Sequence, residues 1–381
     1  MNPRIPLSAP DITEAEIDAV AAVLRTPYLS LGPELAAFET ALAAYHALDD
    51  RVDHAVAVSS GTAGLHLALI TLGVGQGHEV IVPSFAFVAV TNTVLQTGAM
   101  PVFAEIDPVT LNLDPGAVEQ AITLRTRAIL AVHTFGVPAE MDALQAIARR
   151  HGLALIEDAC EAIGAEFNER RVGSFGDLAV LGFYPNKQMT TGEGGAVLAR
   201  DPSYATRLRS LRNQGRQLDG EWFDHAEAGY NYRLSELACA LGRVQLSRID
   251  EILAPRRAAA QRYDTLLSEI PGLERPPLTL PRRAISWFVY VVRMPEGVDR
   301  DDVQAFLNRR GIATGRYFAP IHLQPSMQPI WNTQSAPGAG RLALTESIAR
   351  RTLALPFFNR ITEDQQRQVA AGLREAISNA A

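Results

Sequence analysis

Alternation of strand and helix patterns most constrains the fold of this chain. From His54 onward, short apolar runs are each followed by a helical pattern: AVAVSS precedes a helix at 62–72, EVIVP one at about 85–97, PVFAEI one at about 114–122, and AILAVHTF one at 140–151. Repeated β-then-α units of this kind predict an α/β fold with a mostly parallel central sheet and helices on both faces. Ligands of such sheets bind at the carboxyl ends of the strands.

The chain is long enough for two domains. It has 381 residues, 47% of them hydrophobic, and the Pro-rich segment PGLERPPLTLPRR marks a boundary. Beyond it, a strand pattern, a helix at 300–310 and a terminal helix from about Thr362 suggest a smaller α+β unit. We therefore predict a large α/β domain at 1–250 and a small C-terminal α+β domain at 251–381, with the segment 1–30 as a candidate to pack on the small domain.

Charge and composition argue against several classes of protein. The net charge is −7 and there is no basic tract, so nucleic acid is not an expected partner. Neither a basic leader followed by an apolar core nor an apolar run of about 18 residues occurs, so we expect no membrane span and a cytoplasmic location. Cys160 and Cys239 lie far apart without a CxxC motif or a His cluster. They are read as core residues, and no metal site is expected.

Lys187 is the only lysine in the chain, against 34 arginines. A guanidinium stays protonated, whereas a lysine amine can lose its proton when desolvated and can form an imine with a carbonyl. An apolar strand pattern (DLAVLGFY) precedes Lys187, and a Gly-rich turn and a second short strand (GAVLA) follow it. The alternative is a surface lysine without a function. A position between two core strands argues against it, because burying a charge that has no partner is unfavourable. We interpret Lys187 as a Schiff-base lysine.

Polar and aromatic residues follow three other predicted strands. Ser59-Ser60-Gly61-Thr62 joins the first strand to its helix, which makes either a phosphate cradle or a simple helix cap. Phe85 and Phe87 follow the second strand and could stack on a flat ring or belong to the core. Asp158 directly follows the strand LALIE and could be a turn residue by itself.

Taken together, these groups predict one ligand. A phosphate cradle, an aromatic side chain, a carboxylate at a strand end and a single amine match pyridoxal 5'-phosphate, which needs a lysine imine and an acidic partner for its pyridinium nitrogen. Competing motifs are absent or misplaced. GVGQG (73–77) follows a helix instead of a strand, so it is not a dinucleotide-binding turn, and the sequence has no GxSxG, P-loop or zinc motif.

With these residues placed, the sequence resembles the DegT/DnrJ/EryC1/StrS family of pyridoxal-phosphate aminotransferases over nearly its whole length. The motifs that carry the resemblance are IPLSAPDIT, LSLGPE, VSSGTAGLHLAL, VPSFAF, VHTFGVPAEMD, IEDACEAIGA, VGSFGD, FYPNKQMTTGEGG, GYNYRLSELACAL, HLQP and LALPFFNRITEDQ. The resemblance implies the aspartate-aminotransferase type of fold (fold type I) and a homodimer with active sites at the subunit interface.

The family resemblance also assigns roles to single residues. Lys187 would bear the cofactor and Asp158 would pair with its pyridinium nitrogen. Ser60, Gly61 and Thr62 would bind its phosphate and Phe87 would stack on its ring. Asn231 would reach the phosphate of the partner subunit's cofactor, and Tyr317 and His322 would lie near the substrate.

Two positions depart from the family pattern. Members often carry Gln where this chain has Glu161, near the cofactor's phenolic oxygen, so a carboxyl there must be protonated or engaged elsewhere. Many members have a phosphate-binding Ser where this chain has Gly182. Relatives that dehydrate sugars replace the cofactor lysine with histidine, so Lys187 favours transamination.

The resemblance further implies L-glutamate as amino donor and a nucleotide-linked keto sugar as acceptor. The TTGEGG run after Lys187 is similar to members that aminate C4 of a 4-keto-6-deoxy sugar, such as perosamine synthases. Cyclitol and aminohydroxybenzoate-type aminotransferases of the same family have a similar segment, and a regulator that keeps the fold without turnover is a further alternative. The loops at 28–34, 216–230 and 316–324 are expected to select the substrate.

Overall fold

The computed structural model describes residues 4–46, 54–217, 221, 223–334 and 342–380. The strands in this part of the chain are β1 (His54–Val58), β2 (Glu79–Pro83), β3 (Met100–Ala104), β4 (Thr126–Val132), β5 (Ala154–Asp158), β6 (Glu166–Phe167), β7 (Arg170–Arg171), β8 (Leu178–Gly182), β9 (Gly195–Ala199), β10 (Arg283–Ala284), β11 (Tyr290–Arg293) and β12 (Thr352–Leu355). The α-helices are α1 (Glu14–Leu24), α2 (Pro33–His46), α3 (Gly61–Thr71), α4 (Ala89–Gln96), α5 (Pro115–Gln120), α6 (Met141–His151), α7 (Pro202–Arg212), α8 (Glu236–Ser247), α9 (Ile249–Leu267), α10 (Arg300–Arg309), α11 (Gln328–Gln334), α12 (Ala343–Arg351) and α13 (Glu363–Ala380).

A seven-stranded sheet in the order β1-β9-β8-β5-β4-β2-β3 forms the centre of the molecule. β9 runs antiparallel to both of its neighbours, and the remaining pairs are parallel. All strands except β9 therefore point the same way, and their carboxyl ends meet at one edge. The prediction of a mostly parallel sheet is confirmed.

Both faces of this sheet are covered by helices. Val80 and Val82 of β2 pack with Leu67 of α3 in one apolar cluster, whereas Ile81 between them packs with Leu144 of α6 in another. Successive strand residues point to opposite faces, so a run without polar interruptions such as EVIVP is what a sheet buried on both sides requires.

A second apolar core lies in the C-terminal part of the chain. The antiparallel pair β11 and β12 packs with α9, α10 and α13. Ile5 belongs to this core, and its N–H donates to the carbonyl of Gly311 (2.9 Å). The first described residues thus pack on the C-terminal unit. The boundary at residue 250 stays a prediction, because α9 contributes Ile249 to the core under the large sheet and Tyr263 to the C-terminal core.

The segment after GYNYR forms two successive helices. Ser235 caps α8, since its Oγ accepts the N–H of Ala238. α8 then ends at Ser247, and α9 begins at Ile249 and runs to Leu267. Thr13 is the N-cap of α1 and forms a capping box with Glu16. Within the described residues, no helix has the length and apolar character needed to cross a membrane.

Glu236 caps a neighbouring helix and is the clearest stability determinant outside the cores. Its buried carboxylate accepts the N–H groups of Gly32 (2.9 Å), Glu34 (2.7 Å) and Leu35 (3.0 Å) at the start of α2. Replacing Glu236 with alanine leaves these donors without their acceptor. We expect the Glu236→Ala protein to lose about 3 kcal/mol of unfolding free energy, measured by urea denaturation.

Glu269 provides the matched control, because its side chain is 84% exposed. Glu269→Ala should change the unfolding free energy by less than about 0.5 kcal/mol. If Glu236→Ala were no more destabilising than Glu269→Ala, the capping role of Glu236 would be wrong.

Candidate active site

A cavity of about 520 Å³ opens at the carboxyl edge of the large sheet. The sequence-predicted residues that line it are Ser60, Gly61, Thr62, Phe87, Asp158, Glu161, Lys187 and Tyr317. They come from five separate segments of the chain, so the fold brings together most of the residues singled out from the sequence.

Lys187 lies on the connection between β8 and β9. Its side chain is only 15% exposed, so it is not a leftover surface lysine. Nζ lies 3.4 Å from Glu161 Oε1 and 4.1 Å from the centroid of the Phe288 ring. The backbone is held as well: its N–H donates to the carbonyl of Tyr184 (2.9 Å), and the guanidinium of Arg256 donates to its carbonyl (3.3 Å). The single lysine amine of the chain therefore has a fixed position in the cavity.

Asp158 is the last residue of β5, next to Val132 of β4 in the parallel ladder. Its side chain is buried, and Oδ1 accepts the N–H of Cys160 (3.1 Å). The side chain therefore acts as a turn residue and also presents a carboxylate to the cavity. An ionised carboxylate in such a place favours a cationic group of a ligand beside it.

Glu161 and Tyr317 are two further titratable groups of the cavity. Burial raises the pKa of the Glu161 carboxyl, against the lowering influence of the Lys187 amine and of the Phe135 N–H that donates to Oε2 (3.0 Å). Burial also raises the pKa of Tyr317, with a further contribution from the charge of Glu161. The Asn186 side chain donates to the Tyr317 hydroxyl (3.5 Å).

The start of α3 lines the cavity and has the backbone geometry that suits an anion. Ser60 Oγ accepts the N–H of Ala63 (3.0 Å), so Ser60 is a helix cap, while the next two residues also line the cavity. First-turn N–H groups have no partner within a helix and attract anions. A Cβ at Gly61 would lie 2.8 Å from Cys160 Sγ, and one at Gly182 would lie 3.1 Å from the same sulfur. The Cys160 side chain therefore takes the room that a serine at position 182 would need.

These groups fit pyridoxal 5'-phosphate. The cavity offers an amine, a carboxylate, a helix N-terminus for a phosphate, and the ring of Phe87, which is 62% exposed although Phe85 is fully buried in the core. Of the two phenylalanines singled out from the sequence, Phe87 is thus the one available for stacking. No group of three or more His, Cys, Asp or Glu side chains suited to a metal ion occurs in the described ranges.

Two predicted residues lie elsewhere. His322 is fully buried and does not line the cavity: Nδ1 lies 2.6 Å from Ser84 Oγ, Nε2 lies 3.5 Å from Glu346 Oε1, and the ring packs on Trp331. Burial lowers the pKa of His322. Asn231 is exposed and forms a bridge with Asn213 outside the cavity lining, so its assignment to the partner's site stays a prediction.

The structure adds lining residues that were not singled out by number from the sequence, although Arg316 and Phe318 fall in the predicted substrate-selecting loop 316–324. Phe288, Arg316 and Phe318 come from the C-terminal part of the chain and face the residues of the large sheet across the cavity. Arg316 precedes the predicted Tyr317, so its position could have been inferred, whereas Phe288 lies in an apolar segment without any signal of function. Of the predicted specificity loop 216–230, residues 218–220 and 222 lie outside the described residues.

Comparison with known proteins shows the family of this chain. Residues 10–374 match the DegT/DnrJ/EryC1/StrS aminotransferase family. The chain is 41% identical to a dTDP-3-amino-3,4,6-trideoxy-alpha-D-glucose transaminase of Streptomyces venezuelae (98% of this chain, 96% of the relative). It is 37% identical to a GDP-perosamine synthase of Caulobacter vibrioides (98% and 99%).

Among solved structures, S. venezuelae DesV in complex with a ketimine intermediate superposes with a TM-score of 0.88 at 40% identity and covers 99% of both chains. The cofactor that this family uses is pyridoxal 5'-phosphate. The fold, the cavity and these likenesses lead to one conclusion: the chain is a pyridoxal-phosphate-dependent transaminase and belongs to the DegT/DnrJ/EryC1/StrS family of sugar aminotransferases.

Proposed function

We propose that this enzyme moves the amino group of L-glutamate to a nucleotide-linked keto sugar, at C4 of a 4-keto-6-deoxyhexose. The observation that carries the proposal is the enclosure of the chain's single lysine amine, Lys187 Nζ, in a cavity that also holds a carboxylate and a helix N-terminus. A nucleotide-linked acceptor is supported by the relatives from Streptomyces and Caulobacter, whose names specify dTDP-linked and GDP-linked amino sugars.

Six lining residues that were predicted from the sequence have a part in this proposal. Bound pyridoxal phosphate supplies a carbonyl that accepts the donor's amino group and a ring that withdraws electrons. Lys187 holds the cofactor covalently at rest, and its released amine moves the proton of the amino-bearing carbon as general base and acid. Asp158 holds a proton on the ring nitrogen. Ser60, Gly61 and Thr62 bind the phosphate, and Phe87 covers a ring face.

The mouth of the cavity suits an anionic substrate. Arg316 lines it next to Tyr317, and is oriented by Asp301 Oδ2 (3.0 Å from Nη2) and Gln304 Oε1 (3.2 Å from Nε). A guanidinium in this place can attract either the carboxylates of glutamate or the diphosphate of a nucleotide sugar. A cytoplasmic location is part of the proposal, because charged substrates of this kind do not cross a lipid bilayer unaided.

We also infer a homodimer with shared active sites. Tyr28, Leu29 and Leu31 are exposed apolar side chains, and Ser30 forms a bridge with Ser235, close in sequence to Asn231. Exposed apolar side chains grouped beside a functional site are typical of a protein interface. In this arrangement Asn231 would enter the site of the second copy.

Three alternatives define the experiment. Amination at C3 is supported by the S. venezuelae relative, which is named for a 3-amino sugar. The cyclitol and aminohydroxybenzoate types differ in having an acceptor without a nucleotide. A regulator without turnover would have no use for a buried, positioned amine at Lys187.

The test is incubation with ¹⁵N-labelled L-glutamate and a panel of ketones: nucleotide-linked 4-keto-6-deoxy and 3-keto-6-deoxy sugars and a keto-cyclitol. We expect mass spectrometry to find the label in a 4-amino sugar nucleotide, with the Lys187→Arg protein as the inactive control. Label in the 3-amino sugar alone would contradict the C4 assignment. Label in the cyclitol alone would contradict the nucleotide-linked acceptor, and an unlabelled product would contradict glutamate as donor.

A further inference from the structure

Glu161 is a buried carboxyl group in direct contact with the reactive amine. Its side chain is 8% exposed and that of Lys187 is 15% exposed. One carboxyl oxygen, Oε2, accepts the N–H of Phe135 (3.0 Å), and the other, Oε1, lies 3.4 Å from Lys187 Nζ. One oxygen thus anchors the group, and the other is available to the amine.

The backbone holds this pair together from both sides. The carbonyl of Glu161 accepts the side-chain amide of Gln188, the residue that follows Lys187 (2.6 Å). The same amide donates to the carbonyl of Ser286 (3.1 Å), which belongs to the segment that carries Phe288 under the amine. The distance between the carboxyl and the amine is therefore set by several hydrogen bonds and does not depend on a flexible side chain alone.

The surroundings of the pair make its ionic form costly. Both side chains are largely withdrawn from water, and an ion pair removed from water loses much of its hydration energy, whereas the Phe288 ring next to Nζ favours the protonated amine. The other titratable groups of the cavity that bear on the pair are Asp158, the Cys160 thiol and the Tyr317 phenol. Arg256 reaches only the backbone carbonyl of Lys187. Asp158 disfavours a second negative charge on Glu161, whereas the amine favours it.

We propose that Glu161 and Lys187 share one proton and act as a coupled pair. In one form Nζ carries the proton and Glu161 is a carboxylate. In the other form an N–H bond has broken, an O–H bond has formed on Oε1, and the amine is uncharged. The amine can then change between acid and base without exchanging a proton with solvent. Glu161 in this role is a positioning residue for the proton of Lys187, and the inference deepens the proposed function of that lysine.

The single lysine makes the pair directly measurable. Trace labelling with acetic anhydride modifies unprotonated amines, and in this chain those are Lys187 and the terminal α-amino group alone. Peptide mass spectrometry separates the two sites. The labelling rate at Lys187 as a function of pH, in the full chain freed of cofactor, reports the protonation of Nζ without requiring turnover. Its outcome is therefore independent of the proposed donor and acceptor.

We expect two titration steps in the wild-type protein, because a coupled pair loses its two protons at separate pH values. Glu161→Gln keeps an oxygen acceptor for the Phe135 N–H and cannot take up a proton, so its curve should show one step. That step should lie below the upper wild-type step, since the amine has lost its anionic partner. Glu161→Asp keeps a carboxyl group on a side chain that is one methylene shorter, so the carboxyl lies farther from Nζ. This variant should restore the second step.

Glu193→Gln is the matched control. Glu193 is an exposed residue of the same cavity lining, so its replacement makes the same change in net charge. We expect its labelling curve to keep both steps. The proposal is overturned if wild-type and Glu161→Gln curves superimpose, or if Glu193→Gln removes the second step as well.

Discussion

Replacing Lys187 with alanine should abolish amino transfer, with a loss of about 10⁴-fold or more in turnover, because one group supplies both the covalent attachment and the proton shuttle. The chain has no second lysine to substitute for it. The cofactor should still bind through its phosphate and ring, because the other cavity residues are unchanged. The measurements are turnover with labelled glutamate and the visible absorption of bound cofactor.

Lys187→Arg is the control that separates the effect of the positive charge from the effect of the nucleophilic amine. Arginine keeps a positive charge near Glu161 and Phe288, yet its guanidinium is not a nucleophile, so it should be as inactive as alanine. Borohydride treatment followed by peptide mapping gives a second readout. A pyridoxyl group should appear on the peptide that contains Lys187 in the wild-type protein and on no peptide of either variant. An active alanine variant would remove the proposed role of Lys187.

Much of the large sheet could be predicted because its strands are buried on both faces. Such strands are short apolar runs bounded by turns, and a helix between two of them predicts a crossover to a parallel strand. β9 is the exception. Its connection from β8 contains the Lys187 turn and no α-helix, and GAVLA runs antiparallel to β8. The lack of a helix does not by itself predict this reversal, because the connection from β5 to β8 also contains no α-helix and those two strands are parallel.

The division between α8 and α9 and the cap of α2 could not be predicted as well as the strands, because both depend on contacts distant in sequence. The division between α8 and α9 at Arg248 follows no proline or glycine at that position; Arg248 instead binds Glu16 of α1. Glu236 looks like an ordinary first-turn acid in the sequence. Only the fold shows that it caps α2, about 200 residues earlier in the chain.

The cavity residues, too, could be predicted where the local sequence marks them and not where their position depends on contacts distant in sequence. Lys187 and Asp158 could be singled out because composition and strand ends mark them. Phe288 could not, since an aromatic residue in an apolar run is indistinguishable from core until the C-terminal unit is folded against the sheet. His322 shows the reverse: it is near a lining segment in sequence, but its ring is turned into a buried polar contact with Ser84.

Asp158→Asn tests the proposed role of Asp158 as the acidic partner of the cofactor's ring nitrogen. Asparagine has nearly the same shape, and its oxygen can still accept the N–H of Cys160, so the fold and cofactor binding should be retained. What is lost is the negative charge that holds a proton on the ring nitrogen. We expect turnover to fall by roughly 10²–10³-fold, the usual effect of removing one preorganised electrostatic contact. Stopped-flow spectra with glutamate alone should locate this loss in the donor half of the reaction.

Glu161→Gln separates this effect from a general loss of negative charge in the cavity. Both variants remove one carboxyl group near Lys187, but only Asp158 ends β5 on the sheet side of the cavity. The Asp158→Asn protein should therefore lose cofactor-dependent turnover and keep the two-step titration of Lys187, whereas Glu161→Gln should lose the second titration step. An Asp158→Asn protein with unchanged turnover would show that the carboxylate has no part in the electron withdrawal on which the proposed reaction depends.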